Sequence, residues 1–97
     1  MHQAVQTPQF ASELVQVGTI PRANEAIAGL IWALSSKPDD FPVLPETSHL
    51  RLAKSEKLLT KPGRYAVVYV WFKMAGSNKI DLLSVEAVPV PLVPYLM

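Results

Sequence analysis

The sequence predicts an α+β domain with two helices packed on one face of an antiparallel sheet. Three observations carry this. Apolar residues recur every three or four positions between Phe10 and Leu34, the period of a helix with one buried face. From Leu50 onward the period becomes two, as in a half-buried strand. Tyr65 to Phe72 is an unbroken run of β-branched, aromatic and small apolar residues, as expected of a strand covered on both sides. The 97 residues make a single domain, residues 1–97. A chain this size buries about 64% of its unfolded surface. With 49% hydrophobic and 18% charged residues it has a core to build.

Each element has a local reason. His2 to Gln6 forms a short opening strand. Thr7-Pro8 starts a helix, since Thr caps and Pro at the first helical position gives up an amide that has no partner there. Phe10, Ala11, Leu14, Val15 and Val17 follow at helical spacing, and Gly18 stops the helix. Thr19-Ile20-Pro21 opens a second helix by the same logic. Its stripe is Ala23, Ala26, Ile27, Leu30, Ile31 and Leu34, with Trp32 beside it as a core or interface residue, and Lys37-Pro38 ends it. Two helices joined by about two residues read as an αα-hairpin.

Residues 38–47 hold three prolines and read as an irregular connection. Leu50 and Leu52 then alternate with Arg51 and Ala53. Lys61-Pro62-Gly63 is a turn, Tyr65 to Phe72 the central strand, and Ala75-Gly76-Ser77-Asn78 a hairpin turn. Ile80 to Val88 completes a three-stranded antiparallel meander, with Leu83, Val85 and Ala87 on one face. Residues 88–97 form an apolar tail whose prolines at 89, 91 and 94 exclude a central strand or a helix. Ten uncharged residues need cover from their own domain or from another chain, which leaves a homodimer open.

Charge is unevenly spread. The net charge is +1, yet Arg51, Lys54, Lys57, Lys61 and Arg64 fall within sixteen residues, 49–64, against Glu56 alone. Such a block suits an anionic partner, and equally suits a solvated strand whose lysines blunt a sheet edge. With no cysteine there is no disulfide, iron–sulfur cluster or cysteine nucleophile, and with two histidines no closed zinc site is expected. No phosphate loop or nucleophile elbow occurs, so no cofactor and no metal is expected. No apolar run reaches the ~20 residues of a membrane span. The N-terminus lacks a basic and apolar leader, so a cytoplasmic location is expected.

Three stretches carry a family resemblance. They are Ala4-Val5-Gln6-Thr7-Pro8-Gln9-Phe10, the basic strand His49-Leu50-Arg51-Leu52-Ala53-Lys54, and Gly63-Arg64-Tyr65-Ala66-Val67-Val68-Tyr69-Val70 with Ile80-Asp81-Leu82-Leu83-Ser84-Val85 after a tight turn. In this order, over residues 3 to 88, the chain resembles the RelE/ParE superfamily of bacterial type II toxins. The resemblance implies a toxin held by a cognate antitoxin peptide or domain, acting on mRNA at the ribosome or, as in the ParE branch, on gyrase. In the ribonuclease branch an arginine follows the first tyrosine of the central strand. Here that position is Ala66, and the stretch Ala87-Val88-Pro89-Val90-Pro91 after the last strand has no ionisable side chain, with Tyr95 farther on. Arg64, one residue earlier than Tyr65, would point to the opposite face of the strand and not replace that arginine unless a bulge re-aims it.

RNA cleavage needs a base near the 2′-hydroxyl, cations on the phosphate and an acid for the leaving oxygen. Arg51, Lys54, Lys57, Lys61 and Arg64 are the candidates for RNA or anion binding, and His49, Arg51 and Arg64 the candidates for catalysis. His49 is the one imidazole in the body of the domain, and Glu46 and Glu86 are candidate bases with no second group paired to them. The alternative for each is an exposed charge with no chemistry. The second reading is a repurposed member of the fold that binds a protein partner or a small ligand and catalyses nothing.

Overall fold

A computed structural model describes residues 2–45 and 49–90. Its elements are β1 (Gln3–Gln6), α1 (Pro8–Val17), α2 (Ala23–Ser36), a 3-10 turn at Pro38–Asp40, β2 (Arg51–Lys54), β3 (Leu58–Lys61), β4 (Arg64–Met74) and β5 (Lys79–Pro89). The α+β class, the two helices and the central position of the Tyr65–Phe72 run are as the sequence predicts. The sheet is not purely antiparallel. β1 lies parallel to β5, Gln3 opposite Lys79, and the order is β1-β5-β4-β2, with β3 also paired to β4.

The expected meander has a broken edge. β2 and β3 lie one after the other along the same side of β4, Arg51 opposite Phe72 and Leu58 opposite Ala66. Ser55 bridges the break. Its N–H donates to the Val68 carbonyl at 2.9 Å, and its hydroxyl accepts the Val68 N–H at 2.9 Å. The side chain thus stands in for a backbone carbonyl, so the buried amide of β4 keeps a partner. Gly63, at φ +76°, closes the β3–β4 turn in a conformation that only glycine adopts without strain.

A bulge corrects the face assignment on β5. The register slips between Trp71, opposite Ser84, and Phe72, opposite Leu82, leaving Leu83 as the extra residue. Ile80 and Leu82 therefore face the same side as Val85 and Ala87, and Leu83 leaves that set. This side forms the main core with Phe10, Val17, Ala23, Ile27, Leu34, Val68, Val70 and Phe72. A smaller cluster of Leu52, Val67 and Tyr69 fills the other face, with Leu44, Trp71, Val88 and Val90 against it. β4 is apolar on both faces for this reason.

Thr7 fixes the first helix twice. Its hydroxyl accepts the Phe10 N–H at 3.3 Å as an N-cap and donates to the Leu82 carbonyl of β5 at 2.8 Å. The second helix starts two residues later than its proline suggests. Residues 18–20 tighten the end of α1 instead, Thr19 N–H donating to Gln16 and Ile20 N–H to Val17. Arg22 then turns the chain at φ +66° before Ala23. Each helix packs mainly on strands, α1 on β5 and α2 on β4, so the αα-hairpin describes their connection and not their packing. Trp32 is 65% exposed and is no part of the core. No helix among the described residues is long and apolar enough to cross a membrane. The tail beyond Val90, Tyr95 included, and Glu46 lie outside the described residues.

Candidate functional site

The basic block divides into a structural residue and an exposed edge. Arg51 shares the helix-side face with Phe72, its register partner. Its guanidinium donates to the Phe41 carbonyl at 2.8 Å and to the Pro38 carbonyl at 3.4 Å, and lies 3.6 Å from Asp39. The side chain is only 19% exposed. It clasps the connection after α2, and its donors aim at the protein's own backbone.

The other four cations are exposed. Lys54 ends β2, Lys57 lies in the break, and Lys61 and Arg64 flank the turn between β3 and β4. From Lys54, opposite Tyr69, to Lys61, opposite Arg64, they follow about 17 Å of edge. Lys61 and Arg64 are register partners, opposite one another across a pair of strands. Like charges so placed repel, a cost that an anion between them would relieve. Lys57 Nζ sits 5.7 Å from the Tyr65 ring centre, a cation–π contact that holds it beside the edge.

Arg64 is not turned away from the position of the missing arginine: it lies on the face opposite Tyr65. By alternation this is the face of Ala66, and the nearby register slip falls on β3, at Thr60, and not on β4. The side chain therefore needs no bulge to share a face with the position where the ribonuclease branch carries its arginine. Ala66 itself is buried.

A cleft of about 540 Å³ adjoins the break, between α2 and the edge. Arg22, Lys54 and Lys57 line it with Glu25, Glu56 and Gly29. Arg22 and Glu25 pair at 3.5 Å, both well exposed, so water and salt screen them. Sequence reasoning missed Arg22 and Gly29, because nothing in a helix stripe reveals which strand break will face it. A Cβ added at Gly29 meets nothing within 4 Å. Gly29→Ala should stabilise the fold by about 0.5–1 kcal/mol, the helix-propensity difference. A lower urea midpoint in that variant would contradict the open space.

His49 is exposed and precedes β2, at the end of the edge where Arg51 meets Phe72. Lys61 and Arg64 occupy the other end. The structure does not bring His49 together with Arg64, so the two do not form one acid–base centre. Glu86 is exposed on β5, one strand beyond β4. No family model, curated protein or solved structure matches the chain.

Proposed function

We propose that this chain is the toxin component of a RelE/ParE-like toxin–antitoxin pair. It acts in the cytoplasm and inhibits growth by holding an anionic target along the β2–β3 edge. The order of elements, strand, two helices, then hairpin-linked strands, supports the family reading. The observation that carries the binding reading is the row of Lys54, Lys57, Lys61 and Arg64, with the last two opposed in register. Binding is favoured over cleavage because the one described imidazole of the body, His49, lies at the far end of that edge.

The test is controlled induction in a bacterial host. Growth arrest is expected, relieved by the open reading frame beside the gene. The variant with Lys54, Lys57, Lys61 and Arg64 all changed to Gln should lose the arrest. With single-stranded RNA as probe, the wild-type log K should fall with log salt at a slope of roughly −2 to −3, and the variant should give a slope near zero. Full toxicity in a folded quadruple variant would remove the edge from the mechanism.

Trp32 favours a second reading, a binding module without toxicity. Trp32 is 65% exposed on α2, and tryptophan is among the side chains enriched at binding hot spots. Normal growth with soluble chain accumulating would support it.

A further inference from the structure

The sheet has a second open edge, on the side away from the cations. β5 spans eleven residues, but β1 covers only Lys79 to Leu82. The groups just beyond β1 find local partners. The Leu82 carbonyl accepts the Thr7 N–H at 3.1 Å, and Glu13 Oε1 accepts the Val85 N–H at 3.2 Å and the Ser84 hydroxyl at 2.8 Å.

After Val85 this local cover stops. Val90 N–H donates inward to Tyr65 of β4, so the even positions at this end of β5 form the ladder and the odd ones face out. Ala87 therefore directs both its N–H and its carbonyl outward, with no partner among the described residues. Pro89 is tolerated for the same reason, since its missing N–H belongs to the open side.

A groove of about 400 Å³ runs along this stretch, between the end of α1 and β5. Val17 and Ile20 form its wall on the helix side, and Val85, Glu86 and Ala87 the edge itself. Among the described residues, the charged ones lining it are Glu13 and Glu86, and no cation does. Glu86 is the register partner of Tyr69, so it belongs to the face away from the helices.

We propose that this groove takes an extended, cationic segment of another protein, about five residues long, as an added strand beside Val85–Pro89. Ala87 supplies the central donor and acceptor. Alternate side chains of the incoming strand meet different surroundings, because successive residues face opposite sides of a sheet. One set is apolar and packs on Val17 and Ile20. The other carries Lys or Arg toward Glu86. The acidic lining selects against a nucleic acid. Main-chain pairing gives the affinity and the two-sided pattern the specificity. The site is independent of the basic edge, and its failure leaves the growth-arrest reading untouched.

The test uses the full chain, labelled with nitrogen-15, and a capped seven-residue peptide of alternating lysine and valine. Saturating peptide should slow amide exchange at Ala87 at least tenfold. Shifts should be confined to residues 13–20 and 84–89. Glu86→Lys should weaken binding at least tenfold. Ala87→Pro should abolish binding with the urea midpoint kept, since the lost N–H is not in the β4 ladder. Should that variant unfold, Glu86→Lys and the exchange at Ala87 decide. A peptide of alternating glutamate and valine should not bind. Absence of binding by the lysine peptide at millimolar concentration would overturn the proposal. So would binding that leaves Ala87 exchange unchanged, survives Glu86→Lys or is matched by the glutamate peptide.

Discussion

Phe72→Ala should destabilise the fold by about 3–5 kcal/mol, the cost of truncating a buried aromatic that leaves a cavity. A domain of this size has only about 5–15 kcal/mol of total stability. The variant should therefore be near the limit of folding at 37 °C. Phe72 is fully buried on the helix side of β4. Its ring meets the edge of Phe41 at 5.8 Å between centres and 83° between planes, a geometry that adds about 0.5–1.5 kcal/mol beyond burial. Phe41 lies in the connection after α2, so the loss should extend beyond the sheet. Phe72→Leu, which keeps most of the volume, should cost markedly less. Urea titration of the three proteins checks this, and an alanine variant within 1 kcal/mol of wild type would mean that the core closes over the gap. In a double-mutant cycle with Phe41→Leu, the two positions should couple by about 1 kcal/mol.

What could be read from the sequence follows from which signals are local. Thr7-Pro8, Lys37-Pro38 and Lys61-Pro62-Gly63 mark element ends because capping and proline sterics act within a few residues. The Tyr65–Phe72 run declared a two-sided strand because both of its faces are apolar. The parallel β1–β5 pairing was not legible, since a four-residue strand carries no mark of its partner. Leu83 was placed on the wrong face because strict alternation has no term for a bulge, whose cause is the registry of β4 against β5. The late start of α2 has a similar origin. Thr19 and Ile20 satisfy carbonyls at the end of α1, and that use outweighs the local signal of Pro21. For the candidate site, the basic composition of residues 49–64 was plain, but not the division of labour within it. A charge count cannot distinguish an arginine that faces solvent from one that faces a backbone carbonyl.

Arg51 is where that distinction has the largest measurable consequence. Its bond to the Phe41 carbonyl, 2.8 Å long, is charge-assisted and partly buried, the class of hydrogen bond that contributes about 1.5–3 kcal/mol. The contact with Asp39, which is 91% exposed, adds little. Arg51→Ala should therefore lower stability by about 1.5–3 kcal/mol. Each of Lys54→Ala, Lys61→Ala and Arg64→Ala should fall within about 0.5 kcal/mol of wild type, as exposed substitutions do. Anion binding should show the reverse order. Measured well below its melting temperature, Arg51→Ala should keep the wild-type salt slope, whereas each exposed cation removed should reduce the slope by about 0.7. Arg51→Lys separates charge from geometry. A lysine keeps the charge, but its one ammonium cannot meet the Phe41 and Pro38 carbonyls from one nitrogen and Asp39 from another as the guanidinium does, so it should recover only part of the lost stability. An Arg51→Ala variant with an unchanged midpoint and abolished RNA binding would reverse the assignment and return Arg51 to the binding edge. The expected pattern, stability lost and binding kept, would instead place binding in the four side chains that the fold leaves exposed. Sequence position alone treats all five cations as equals, and the direction in which each points separates them.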